Sequence, residues 1–131
     1  MSHSLKLVRA WYEKSNHDLL TCNQLMQFDD PIADIVLFHA QQAVEKALKG
    51  FLVSHQHFNF PKSHDLGYLL DIAETFEGDL VSLSNIVELT PFAVEARYPD
   101  AMEWGADVDI QEYVSMAKYA CKTLWSYVEG L

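Results

Sequence analysis

The sequence predicts an all-α fold, an up-and-down helical bundle of four main helices with one or two short extra helices. Apolar residues recur at three- and four-residue steps along most of the chain. No stretch alternates with period two for long enough to make a strand, and proline, glycine and aspartate fall where the periodic segments break. With 131 residues the chain fits one domain, 1–131, large enough to bury a core without disulfide or metal staples. Half of it is apolar, which excludes a disordered chain, and it carries no internal repeat or low-complexity tract.

Leu5, Val8, Tyr12, Leu19, Cys22 and Met26 predict an amphipathic helix over 4–27. Asp30 then reads as an N-cap, with Pro31 at the first helical position, where its missing N–H is harmless. The second helix, 31–54, has a broad apolar arc. Val36, Ala40, Ala43, Ala47 and Phe51 form one stripe, with Leu37, Val44, Leu48 and Leu52 beside it. An arc this wide belongs to a central helix packed on several sides, and the alanines let neighbours come close. Its remaining narrow face carries His39, Gln42, Glu45, Lys46 and Lys49.

Residues 55–62 lack helical period and read as a loop. Ser63 is the expected cap of a third helix bearing Leu66, Leu69, Leu70 and Ala73. After the break at Glu77, Gly78 and Asp79, Asp79 caps a further helix with Leu80, Leu83, Ile86 and Val87 on its apolar face. Thr90 and Pro91 either kink that helix or open a new turn through Ala96. Arg97, Tyr98, Pro99 and Asp100 leave the pattern, and Gly105 marks a connecting loop. Asp107 or Asp109 caps the last helix, in which Ile110, Tyr113, Ala117, Cys121, Leu124 and Val128 recur at helical spacing.

The formal charge of -10 disfavours non-specific nucleic-acid binding, which relies on neutralising phosphates. It leaves room for a local anion site, because a local field and a net charge are different quantities. Cys22 and Cys121 form no CxxC pair and read as core thiols of a reducing compartment. No secretory h-region follows Met1, and no apolar run is long enough to cross a bilayer; the expectation is a cytoplasmic chain that avoids membranes. Six histidines invite a metal, but neither HExxH nor a paired Glu-x-x-His pattern occurs, so no metal and no cofactor is predicted.

Three segments, in order, carry a family resemblance. Phe38-His39-Ala40-Gln41-Gln42-Ala43-Val44-Glu45-Lys46-Ala47-Leu48-Lys49 comes first, then Pro61-Lys62-Ser63-His64-Asp65-Leu66, then Val94-Glu95-Ala96-Arg97-Tyr98-Pro99-Asp100. Together they resemble the HEPN family (higher eukaryotes and prokaryotes nucleotide-binding), from about Trp11 to the C-terminus. The resemblance implies a helical bundle that forms a homodimer. It also implies pairing with a minimal nucleotidyltransferase in toxin–antitoxin or related systems. The family's ribonucleases are metal-independent and use an arginine followed, after four to six intervening residues, by a histidine. The guanidinium holds the scissile phosphate and the imidazole handles a proton. Here the positions after Arg97 hold Met102, Glu103 and Trp104; those after Arg9 hold Lys14, Ser15 and Asn16, and His17 comes one place too late. The nuclease pattern is absent.

Candidate ligand-binding residues fall in three groups, each with a purely structural alternative. Arg97 and Tyr98 could hold a phosphate or a partner's carboxylate, or Arg97 could only pair with Glu95 or Asp100. Lys62, Ser63, His64 and Asp65 stand at a helix N-terminus, which favours anions, yet capping by Ser63 and Asp65 explains two of the four without a ligand. Gln42, Glu45, Lys46 and Lys49 could line a nucleotide groove, while the Glu45–Lys49 spacing also suits a solvated surface pair. Two functions follow, beside a third reading in which the domain is a scaffold that only dimerises. One is a non-catalytic nucleotide-binding or partner domain. The other is a degenerate ribonuclease that combines His64 with Arg97.

Overall fold

The computed structural model describes residues 3–60, 62–93 and 109–131. All regular structure among them is helical: α1 (His3–Leu25), α2 (Ala33–Ser54), α3 (Leu66–Glu74), a 3-10 helix (Gly78–Ala93) and α4 (Ile110–Ser126). The central helix is α2, which packs against every other element, with α1 lying along its length. Val36, Leu37, Ala40, Ala43, Val44, Ala47, Leu48, Phe51 and Leu52 are completely buried, so the wide apolar arc does what its width requires.

The start of α2 departs from the sequence reading. Asp30 and Pro31 precede the helix, and the N-cap is Ile32 in extended conformation with no side-chain bond. Asp34 in the first turn supplies the negative charge that the exposed N–H groups favour, without a capping oxygen. At the other end His55 is the C-cap and Gln56 adopts a left-handed φ of 61°. The Gln56 amide donates to Val53 O and the His57 amide to Leu52 O, each at 2.9 Å, which closes the last carbonyls in a Schellman arrangement.

Asp65, not Ser63, caps α3: its Oδ1 accepts from the Tyr68 amide at 3.2 Å. Ser63 Oγ instead accepts from the Asp65 amide, folding the approach into a tight turn. The Leu66 amide donates to Thr90 Oγ1, tying the start of α3 to the 3-10 helix. Asp109 caps α4 by accepting from the Glu112 amide; Asp107, the other candidate, lies outside the described residues.

The 3-10 helix is the element that the sequence reading placed on the wrong period. Its large buried residues are Leu80, Leu83, Ile86, Leu89 and Phe92, in steps of three, with Ala93 buried at its end. Val87, expected on the apolar face of an α-helix, is 45% exposed. A helix with three residues per turn stacks such positions in one row, whereas 3.6 per turn would carry Leu89 and Phe92 away from Leu80. The weaker hydrogen-bond geometry of a long 3-10 run is offset by keeping five large side chains in the core. Pro91 lies inside this helix, which runs on to Ala93; the rest of the stretch expected to reach Ala96 lies outside the described residues.

Where α1, α2 and α4 meet, backbones come close. Ser15, wholly buried, donates to Ala43 O at 2.8 Å. At Gly50 the gap is filled by two indoles. A Cβ there would lie 2.9 Å from Cζ3 of Trp125, closer still to its Cη2, and 3.0 Å from the Cβ of Trp11. The ring of Trp125 also meets Tyr12 edge to face, with centroids 5.1 Å apart. Gly50→Ala gains about 1 kcal/mol of helix propensity, while overpacking costs about 1–3 kcal/mol. We expect urea denaturation of Gly50→Ala to show a lower midpoint than the wild type. A midpoint equal or higher would mean that Trp125 swings clear.

Candidate functional site

Two buried carboxylates organise the polar residues of α2. Asp18 of α1 is 6% exposed and Glu45 is 4% exposed, and an ionised group so enclosed needs partners. Each finds one lysine and one imidazole. Asp18 accepts from Lys46 Nζ at 2.7 Å and from His39 Nδ1 at 2.8 Å. Glu45 accepts from Lys49 Nζ at 3.0 Å and from His64 Nδ1 at 2.7 Å. Gln41, completely buried, donates to Glu45 Oε1 at 3.1 Å and to the His64 carbonyl at 3.0 Å, and Gln42 donates to Gln41 Oε1. The Asp18 group joins α1 to α2, and the Glu45 group joins α2 to the turn before α3.

The surface-pair reading of Glu45 and Lys49 is therefore corrected. Their spacing is the one expected, but α1 and the chain before α3 cover that face. Lys49 is 9% exposed, and its ammonium stands 6.0 Å from the Trp11 ring centroid and 5.9 Å from that of Phe60. Burial turns a modest surface contact into a pair whose members depend on each other.

Carboxylates accept and do not donate, so the Nδ1 of each imidazole carries a proton, which fixes the ring and directs its Nε2 away from the carboxylate. The His64 side chain is 48% exposed, so a buried carboxylate orients an imidazole that solvent can reach. That is an arrangement suited to accepting or passing a proton. His39 has the same geometry with less exposure. Lys62 is exposed in the approach to α3. Asp65 is occupied by its cap, which already satisfies one N–H of the α3 N-terminus. Arg97 and Tyr98 lie outside the described residues.

Asp18 and Gln41 are the members that sequence reasoning missed. Both sit within apolar stripes: Val8, Ser15, Asp18 and Cys22 are all buried along α1, and Gln41 lies beside Leu37 and Val44 on α2. A charge or amide on a helix seam otherwise facing the core is the signal that could have found them. The thiols of Cys22 and Cys121 are free, and each is pushed up to about 12, chiefly by burial and further by the charge of Asp18, so both are protonated at neutral pH. Among the described residues no group of three or more histidine, cysteine, aspartate or glutamate side chains could hold a metal, and no helix is long and apolar enough to cross a membrane.

The family model described as HEPN domain matches residues 8–131. The chain belongs to the HEPN family. Comparison with curated proteins and with solved structures finds no match. In this HEPN domain the Gln41-to-Lys49 stretch of the family-like helix is thus an internal scaffold. It fixes His64 from below and holds α1 from the side.

Removing Glu45 tests that scaffold. Glu45→Ala leaves Lys49 buried without its carboxylate and is expected to cost about 3–5 kcal/mol of stability. Adding Lys49→Met to Glu45→Ala should restore a large part of the loss in chemical denaturation, because the orphaned charge is gone. Strictly additive effects of the two changes would show that the pair is not coupled.

Proposed function

We propose that this HEPN domain is a non-catalytic nucleotide-binding or partner domain, acting as a homodimer with a minimal nucleotidyltransferase in a toxin–antitoxin-like system. The observation that carries the reading is chemical: neither Arg9 nor Arg97 has a histidine at the nuclease spacing. The side chains of α2 support it. Lys46 and Lys49, the cations of the family-like stripe, are committed to Asp18 and Glu45, so neither is free to clasp a scissile phosphate. Arg9 donates to the carbonyl of Gly130 at 2.9 Å, which holds its guanidinium against the end of the chain. An acidic domain that keeps these cations engaged is better suited to docking against a basic protein surface than to gripping RNA.

Co-expression with a minimal nucleotidyltransferase is the decisive experiment. A complex that survives size-exclusion chromatography at micromolar concentration is the expected result. Separate elution of the two chains would sink the proposal. Thermal melts with ATP and GTP in excess complete it, since a ligand bound only by the folded state raises the melting temperature.

A second reading has one observation of its own. Glu45 holds His64 with its Nε2 accessible, and a degenerate ribonuclease would pair that base with Arg97. Metal-free RNA cleavage by the wild type, His64→Ala and Arg97→Ala separates the two readings. Equal residual rates in all three are expected. A loss confined to the wild-type comparison with both variants would favour the nuclease.

A further inference from the structure

Lys118 and Lys122 stand one turn apart on the exposed face of α4, where like charges repel. The chain has 19 acidic residues, yet among the described residues no carboxylate pairs with either lysine. The lysines of α2 are the contrast, each held by a buried carboxylate at 2.7 or 3.0 Å. A helix that keeps two cations in adjacent turns, with no carboxylate paired to them among the described residues of so acidic a chain, invites an anion between them.

The surroundings supply a place for it. Helix α1 packs mainly on α2 and touches α4 little, and between α1 and α4 lies a cavity of about 270 Å³. It is lined by Tyr12 and Asn16 from α1 and by Lys118 and Lys122 from α4, over buried Cys121 and Trp125. Every charged group in that lining is a cation, and the phenol and carboxamide add neutral donors. Burial keeps the Cys121 thiol protonated, so the floor itself carries no charge; the nearby Asp18 carboxylate, whose charge also acts on that thiol, is already paired with Lys46 and His39. The Tyr12 and Trp125 rings give the cavity an apolar wall beside its cationic edge.

We propose that this α1–α4 cavity binds a small phosphate-bearing ligand, with Lys118 and Lys122 flanking the phosphate and Asn16 and Tyr12 donating to its oxygens. One phosphate dianion neutralises both ammonium charges and turns their mutual repulsion into a shared attraction. The volume sits just below the range of roughly 300–1,000 Å³ typical of drug-sized pockets, which suits a phosphomonoester of modest size and excludes a large cofactor. The site uses neither the His64 network nor the missing arginine–histidine pair. It stands or falls independently of the partner reading.

The test is an amide NMR titration of the full chain with sodium phosphate, AMP and adenosine, each against sodium chloride at matched ionic strength. Phosphate and AMP are expected to shift the amides of Asn16, Lys118, Lys122 and Trp125 saturably, and adenosine to leave them unmoved. Tighter binding of AMP than of phosphate assigns the ligand to organic phosphomonoesters; the reverse order assigns free phosphate, and either order supports the oxyanion site. Lys118→Gln combined with Lys122→Gln should weaken the affinity by about tenfold or more, whereas Lys6→Gln with Lys14→Gln removes equal charge from exposed α1 positions and should change it by less than about twofold. A response matched by chloride, shifts that never saturate, or unaltered affinity in the Lys118→Gln, Lys122→Gln protein would overturn the proposal.

Discussion

Enclosure of α2 governs the rest of this molecule. A helix packed against every other element has little outer face on which to place charge, so its polar residues must find partners inside the protein. Glu45 meets that demand with three different donors: an ammonium one turn along its own helix, an imidazole from the chain before α3, and a buried carboxamide. Asp18 meets it from the opposite helix by drawing in His39 and Lys46. Buried ion pairs of this kind add little net stability over apolar packing, but they hold their members in one geometry. Here they fix the approach to α3 and the angle between α1 and α2. They leave the outer edge of His64 oriented and open to solvent.

Much of the fold was legible because the apolar pattern and the core agree. The arc of α2 and the breaks at residues 28–31, 55–62 and 77–79 led to helical elements in the right order, the fourth of them on the wrong period. Of the cap assignments, Asp109 was one of two aspartates offered and takes the cap of α4, whereas those at Asp30 and Ser63 failed. At Asp30 to Ala33 the chain uses an uncapped Ile32, and at Ser63 to Asp65 the serine oxygen closes the preceding turn while the aspartate takes the helix. Such choices depend on which backbone dihedrals tertiary packing imposes, and residue type alone does not carry that information.

The candidate site was half legible for a related reason. The residues Glu45, Lys46, Lys49 and His64 were identifiable by type and spacing, and the structure brings three of them into one network. Their burial was not, because it depends on neighbours remote in sequence: Trp11 and Phe60 beside Lys49, and Asp18 against Lys46. The sign of the local field follows from the same distinction. In α2 each lysine is answered by a carboxylate at close range, while among the described residues no carboxylate pairs with the two lysines of α4, and a net charge of -10 conceals both facts.

The row formed by Leu80, Leu83, Ile86, Leu89 and Phe92 has a consequence for how this segment can change length. A 3-10 helix rises about 2.0 Å per residue against about 1.5 Å for an α-helix, so sixteen residues reach roughly 32 Å where α-helical winding would give roughly 24 Å. The segment therefore acts as an economical strut along the bundle. Inserting or deleting one residue would rotate everything beyond it by about a third of a turn and send the remaining rungs into solvent. Adding or removing three keeps the ladder in line and alters only its height.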